Sequence, residues 1–394
     1  MTYTGNSRRN FLKTLTTTAL VAPSSLTVFA NISDRQNEGS FSENPNPDMT
    51  QDVVPLYTDG PSSPLFEPLD IPGNLDLSKI DASMVSGQMV EAAKSAPRGK
   101  SIAWGIPFNI GEQIIYLKDK PHIVNINPRS GSWIIFMHTS DRHNLVRTSD
   151  GFYEKPLMGI GLLNDEIARY IVIYEDGTEV VLPIRQRYHI GMCGQDWGEN
   201  CIESVASHKP VPVSFQGEMT MDKWGWTQTR VSSEDRATWI NWLWAWQNPN
   251  PGKKIKGLRF EPLNKSPLII SAISLGNVSS NPLRWNSRQK AILSPQKGSA
   301  LSPFPGEKVV LANLQLDLGQ IISAVTALSY PQSDWIESYN NKIPEYSEGQ
   351  IIIEYSAHPE AMFHLTGQEP VPVSGLAANL KSTIQMRTIK PADR

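Results

Sequence analysis

From residue 101 to residue 275 the chain is a succession of short apolar runs, each stopped by a turn signal. The runs cover 101–108, 113–117, 122–126, 132–139, 167–174, 179–184, 255–262 and 268–275. Alternation of period two places successive side chains on opposite faces of a strand. In 132–139 it sets Trp133, Ile135 and Met137 against Ile134, Phe136 and His138. Glu175-Asp176-Gly177-Thr178 lies between two such runs, and Asp-Gly in that setting is a strong hairpin signal. One short helix is expected near 86–94, within an irregular lead-in. Long amphipathic helices are scarce, and 30 prolines with 27 glycines suit frequent turns. The expected class is mainly β: an antiparallel jelly-roll sandwich over 53–278, followed by a smaller, incomplete β region.

That second region, 306–394, carries strand-like runs at 309–318, 321–328, 350–355 and 383–387. These are too few to close a domain with confidence. The stretch 279–305 is rich in Ser, Asn and Pro and reads as a linker, as does 31–52, where disorder is expected. At the start, Ser7-Arg8-Arg9-Asn10-Phe11-Leu12-Lys13 precedes a modest apolar run and Val28-Phe29-Ala30. Paired Arg8 and Arg9 in this setting read as a twin-arginine export signal over 1–30. Its apolar run is too short and too rich in threonine to span a bilayer. The expected location is periplasmic or secreted, by way of the twin-arginine machinery. The signal fixes the compartment and leaves the chemistry open.

A net charge of -3 gives no basic footprint for nucleic acid. No long apolar run follows the signal, so no membrane span is expected after its removal. Cys193 and Cys201 are the only cysteines. In an oxidising compartment they suit a loop-closing disulfide, worth about 2–3 kcal/mol through the unfolded state.

Six of the eleven tryptophans fall between 224 and 246. Trp242, Trp244 and Trp246 share one strand face and suit a sandwich core. Trp224 and Trp226 sit in a loop-like stretch, where a flat indole can stack on a pyranose. Asp196 and Trp197, in a polar and Gly-rich segment, are further ligand candidates. His138, Asp141 and His143 lie close together at a strand end and form a weak metal candidate, with no fourth ligand in view. A structural calcium ion is compatible with such a sandwich but leaves no readable spacing. Glu166, Glu175 and Asp176 are scattered, and no nucleophile elbow, zinc-protease motif or P-loop is present. No catalytic residue is assigned.

Trp104-Gly105-Ile106-Pro107-Phe108, Phe136-Met137-His138-Thr139, Tyr174-Glu175-Asp176-Gly177 and Trp246-Gln247-Asn248-Pro249-Asn250-Pro251 occur in that order. Together with Pro68-Leu69-Asp70 and Asn74, they resemble the galactose-binding-like β-sandwich modules attached to bacterial polysaccharide-processing enzymes. The resemblance implies a partner that is either carbohydrate or a neighbouring catalytic domain, and it makes His138 a core or edge residue. More broadly, Leu316-Asp317-Leu318-Gly319 and Ile353-Glu354-Tyr355-Ser356-Ala357-His358-Pro359 are similar to the N-terminal half of exported PHP-like metallohydrolases of the CehA/McBA type. In those the metal ligands lie in a later domain. The expected function is therefore a non-catalytic exported module, with a purely structural role or a downstream hydrolase as alternatives.

Overall fold

A computed structural model describes residues 58–141, 149–150, 163–194, 201–209, 239–263, 266–293, 314–329, 345–374 and 389–391. The chain enters through β1 (Phe66–Leu69) and β2 (Leu75–Asp76), then the helix α1 (Gly87–Ala93). Ser86 caps α1, its hydroxyl accepting from the Met89 amide. Next come β3 (Gly99–Ala103) and β4 (Ile106–Ile110), paired as a hairpin. The sequence reading had one strand over 101–108. The chain instead reverses at Trp104 and Gly105, whose φ values of 58° and 76° both lie in the left-handed region. Two such residues make the tight turn that suits the twist of a hairpin.

The sandwich follows from β5 (Gln113–Leu117), β6 (His122–Arg129), β7 (Trp133–Ser140), β8 (Glu166–Tyr174) and β9 (Glu179–Arg185). It is completed by β10 (Val205–Ala206), β11 (Trp242–Gln247), β12 (Ile255–Pro262) and β13 (Leu268–Gly276). One antiparallel sheet has the order β10-β11-β7-β13-β5-β2, with β1 also on β13, and the other has the order β6-β12-β8-β9. The two enclose one apolar core. Ile134 and Phe136, Trp244, Ile270, Ile273 and Leu275 meet Tyr170, Val172, Tyr174, Leu258 and Phe260 there. The expected hairpin at Asp176-Gly177 is the link between β8 and β9.

The opposite face of the first sheet is covered as well. Trp133, Ile135 and Met137 of β7 pack with Met89, Ala92 and Ala93 of α1 and with Phe108 of β4. This second core runs on into the C-terminal strands β14 (Gln289–Leu293), β15 (Leu314–Leu316), β16 (Gly319–Ser329), β17 (Glu345–Ala357), β18 (Met362–Leu365), β19 (Val371–Pro372) and β20 (Ile389–Pro391). They form the sheets β16-β17-β14-β20 and β15-β18-β19. Residues 53–394 cluster as one unit. Strand β14 falls inside 279–305, the stretch read as a linker, because Ala291 and Leu293 alternate into the shared core. The run at 383–387 lies outside the described residues.

Parity along β13 changes at a bulge between Ile270 and Ala272. Before it, Leu268 and Ile270 face the sandwich core; after it, Ile273 and Leu275 do. The extra residue, Ser271, is buried, and its hydroxyl donates to Asn241 Oδ1 at 2.8 Å. A bulge adds one residue and so switches which face each later side chain takes. Among the described residues no helix is long and apolar enough to cross a membrane.

Phe136 fills the centre of the sandwich core, with Tyr170 at 5.0 Å and Trp244 at 5.7 Å between ring centroids. Phe136→Ala should cost about 3–5 kcal/mol, read as a lower midpoint in urea unfolding.

Candidate functional site

His138 projects from β7 into the sandwich core and is fully buried. Its Nε2 lies 2.8 Å from the His189 carbonyl and its Nδ1 2.9 Å from the Tyr170 hydroxyl. A carbonyl only accepts, so Nε2 carries the proton and Nδ1 accepts from Tyr170. Both ring nitrogens are thereby committed, and the Nδ1 lone pair points at a hydroxyl. This arrangement corrects the metal reading of His138 and agrees with its reading as a core residue. Burial lowers its pKa from 6.5 to about 3.

Asp141 is buried at the end of the same strand. Its carboxylate accepts from the Ser86 amide at 2.6 Å and the Ser86 hydroxyl at 2.5 Å, which fixes the start of α1. That is a structural occupation for the second metal candidate. His143, the third, lies outside the described residues, as do Asp196, Trp197, Trp224, Trp226, Arg8 and Arg9. Among the described residues, no group of three or more His, Cys, Asp or Glu is placed to hold a metal ion. Cys193 is buried and Cys201 half-buried.

The described backbone does place the roots of the ligand-candidate segments together. The Ile240 amide donates to the Cys193 carbonyl at 2.8 Å, and the Ser207 amide donates to the Asn241 carbonyl at 2.8 Å. The chain just before residue 195 thus lies beside the chain just after residue 238. Trp242 and Trp244 are 3% and 5% exposed, and Trp242 Nε1 donates to the Met192 carbonyl. These two belong to the folded body, as the shared strand face implied.

No protein-family model matches this chain, and no curated protein is similar to it. Its chemistry must be read from the side chains.

Two polar clusters escaped the sequence reading. In the first, Lys209 Nζ donates to the Leu316 and Asp317 carbonyls, each at 2.9 Å. Asp59 Oδ2 accepts from the amides of Trp104 and Lys209 at 2.8 and 3.1 Å. Burial raises the Asp59 pKa and lowers that of Lys209, each partly opposed by the other's charge. Asp317 is buried, with Oδ1 accepting from the Leu318 and Met362 amides at 2.6 and 2.7 Å. Trp104 completes the cluster: Nε1 donates to the Ala206 carbonyl, and the ring lies 4.4 Å from that of Trp285. A Cβ on Gly105 would sit 2.2 Å from the Asp317 carbonyl oxygen. The cluster ties the β3–β4 turn, the chain after β10 and the β15–β16 turn into one joint. Residues 59, 209 and 317 are too far apart in sequence for any spacing to have announced it.

The second cluster joins Ser280, His358 and Glu360. Ser280 Oγ is 2.7 Å from His358 Nε2, and Glu360 Oε2 is 3.8 Å from Nδ1. The order is that of a nucleophile, base and acid, but the hydrogen bonds run the wrong way. The Glu360 amide donates to Nδ1 at 3.2 Å, so the ring proton sits on Nε2 and points at Ser280. A histidine in that tautomer cannot take the serine proton.

His138 supplies a pH test. Its folded pKa lies below the unfolded value, so its contribution is complete above pH 6.5 and is lost as pH falls towards about 3. Unfolding free energy should decline from pH 6.5 downwards, and His138→Gln should be flatter than wild type over that interval. Parallel curves would assign the decline to other groups. Lys209→Met should cost about 3 kcal/mol, since it strands two carbonyls and leaves Asp59 without its counter-charge; chemical denaturation measures it.

Proposed function

We propose that this chain is an exported, non-catalytic β-sandwich protein that recognises carbohydrate. The observation that carries the proposal is how the strands from β5 to β13 are divided between the two sandwich sheets. Strands β5, β7, β11 and β13 belong to one sheet, and β6, β8, β9 and β12 to the other. Successive strands therefore cross between sheets at nearly every step, which supports the jelly-roll reading. Sandwiches of that kind commonly serve as lectin modules. The hydrogen bond from the Ile240 amide to the Cys193 carbonyl adds support, because the segment with Asp196 and Trp197 follows Cys193 in sequence and the segment with Trp224 and Trp226 precedes Ile240. Indole faces stack on the apolar face of a sugar while the N–H remains able to bond a hydroxyl. Among the described residues, His138 and Asp141 are occupied structurally, and His358 holds the tautomer that cannot act as base on Ser280. Export rests on Arg8 and Arg9 in the N-terminal signal pattern.

The Trp224→Ala/Trp226→Ala double variant should bind polysaccharide at least about tenfold more weakly, equivalent to roughly 1.4 kcal/mol. Titration calorimetry against a panel of soluble glycans reads the loss. Wild-type affinity in the double variant would remove these two residues from the site. Absence of binding by the wild-type protein across the panel would favour a structural module.

A further inference from the structure

The turn between β17 and β18 holds a histidine between two alternative partners from one residue. His358 is fully buried, and its backbone is pinned on both sides. Its amide donates to the Leu318 carbonyl at 2.8 Å, and its carbonyl accepts from the Ala361 amide at 3.0 Å. The ring cannot leave without dismantling the turn. Its Nε2–H meets the exposed Ser280 hydroxyl, on the chain that leaves β13, at 2.7 Å. Nδ1 accepts the Glu360 amide at 3.2 Å, and the Glu360 carboxylate waits 3.8 Å from the same nitrogen. That carboxylate is occupied elsewhere, accepting from the Ser279 amide at 2.8 Å and the Ser279 hydroxyl at 3.0 Å.

A second proton on this ring can enter only at Nδ1, where it would point at the N–H of Glu360. Two donors cannot share that space, so the amide must give way. The nearest acceptor for the new N–H is the Glu360 carboxylate, whose Oε2 lies 3.8 Å away and must move towards the ring, drawing off the two Ser279 donors that it now holds. We propose that this turn is a proton-operated switch, in which protonation of His358 at Nδ1 exchanges the Glu360 amide for the Glu360 carboxylate and frees Ser279. Neutral, the turn clasps the chain leaving the sandwich; protonated, it closes on itself. The effect is local and acts on one edge of the joint between the sandwich and the C-terminal sheets.

The charges around the ring act in both directions. Burial disfavours the imidazolium, while Glu360 and, further off, Asp317 favour it, with a net lowering. Asp317 is itself engaged by the Leu318 and Met362 amides and faces His364 Nε2 at 3.5 Å, and Lys209 Nζ binds its carbonyl. The folded pKa is depressed, so the clasped state is complete above pH 6.5 and is lost as pH falls below it.

Nitrogen NMR of full-length protein labelled at its seven histidines tests this, with His358 assigned by His358→Gln. Should that variant not fold, Glu360→Gln provides the assignment, because it keeps the ring and the amide and perturbs only the signal beside them. At neutral pH the ring should be in the Nε2–H tautomer. As pH falls towards the His358 midpoint, the Glu360 amide should lose hydrogen-exchange protection by about tenfold per pH unit, levelling off below that midpoint. Glu360→Gln should move that midpoint lower, since it removes the negative charge that favours the imidazolium. An Nδ1–H tautomer at neutral pH would overturn the proposal and would turn Ser280 into a donor towards a competent base. Glu360 protection that ignores the His358 titration would overturn it too.

Discussion

Everything in this fold depends on two strands that are buried on both faces. Each residue of β7 and β13 is shielded from water. A strand in that position has no solvent side to relax towards, so both sets of side chains must find partners at once. Even-numbered residues of β7 pack into the sandwich core and odd-numbered ones into the second core. The helix α1, the β3–β4 hairpin and the C-terminal strands then serve as the cover for the second face. The two β regions are thus parts of one packing problem, since neither could leave that face of the first sheet exposed.

Double burial also explains where polar side chains appear. Two of them join the layers. His138 of β7 reaches Tyr170 of β8 across the sandwich, and Asn248 after β11 accepts from Tyr174 at 2.5 Å while donating to the Gly131 carbonyl. Apolar contacts tolerate sliding, whereas such bonds hold only in one register. Buried polar groups must be satisfied or they cost stability, and these two pairs are satisfied across the layers they connect.

Much of the sandwich was legible in the sequence. Strands β5 and β12 match their apolar runs residue for residue, and Asp176-Gly177 marked its hairpin. The helix was legible because Ser86 is a capping residue before an apolar repeat. The β3–β4 reversal was not, since a tryptophan in the left-handed region is uncommon and Trp104 gives no sign of it. It is held there by Asp59, Ala206 and Trp285, all distant in sequence. The bulge at Ser271 was hidden for a different reason. In a strand buried along its whole length, parity carries no mark of which face is which. Of the candidate site, the sequence offered residue types suited to sugar, and the described backbone contributes only their common origin. The Lys209 and His358 clusters had no local signature, because each is assembled from separate parts of the chain.

The pair of hydrogen bonds at Ser207 and Ile240 has a consequence for how such a chain can change. Ser207 and Asn241 are hydrogen-bonded to each other, so the chain leaving β10 and the chain entering β11 are closed upon one edge of the sheet. The entropy of closing a loop rises only with the logarithm of its length, by about 0.6 kcal/mol per doubling. Lengthening or shortening the chain between Ser207 and Asn241 would therefore change the closure term little. A mutational history would then write its variation into this stretch and the neighbouring 195–200, while β7 and β13 stayed fixed. The same frame could carry different recognition surfaces, in the way that a handle accepts different blades.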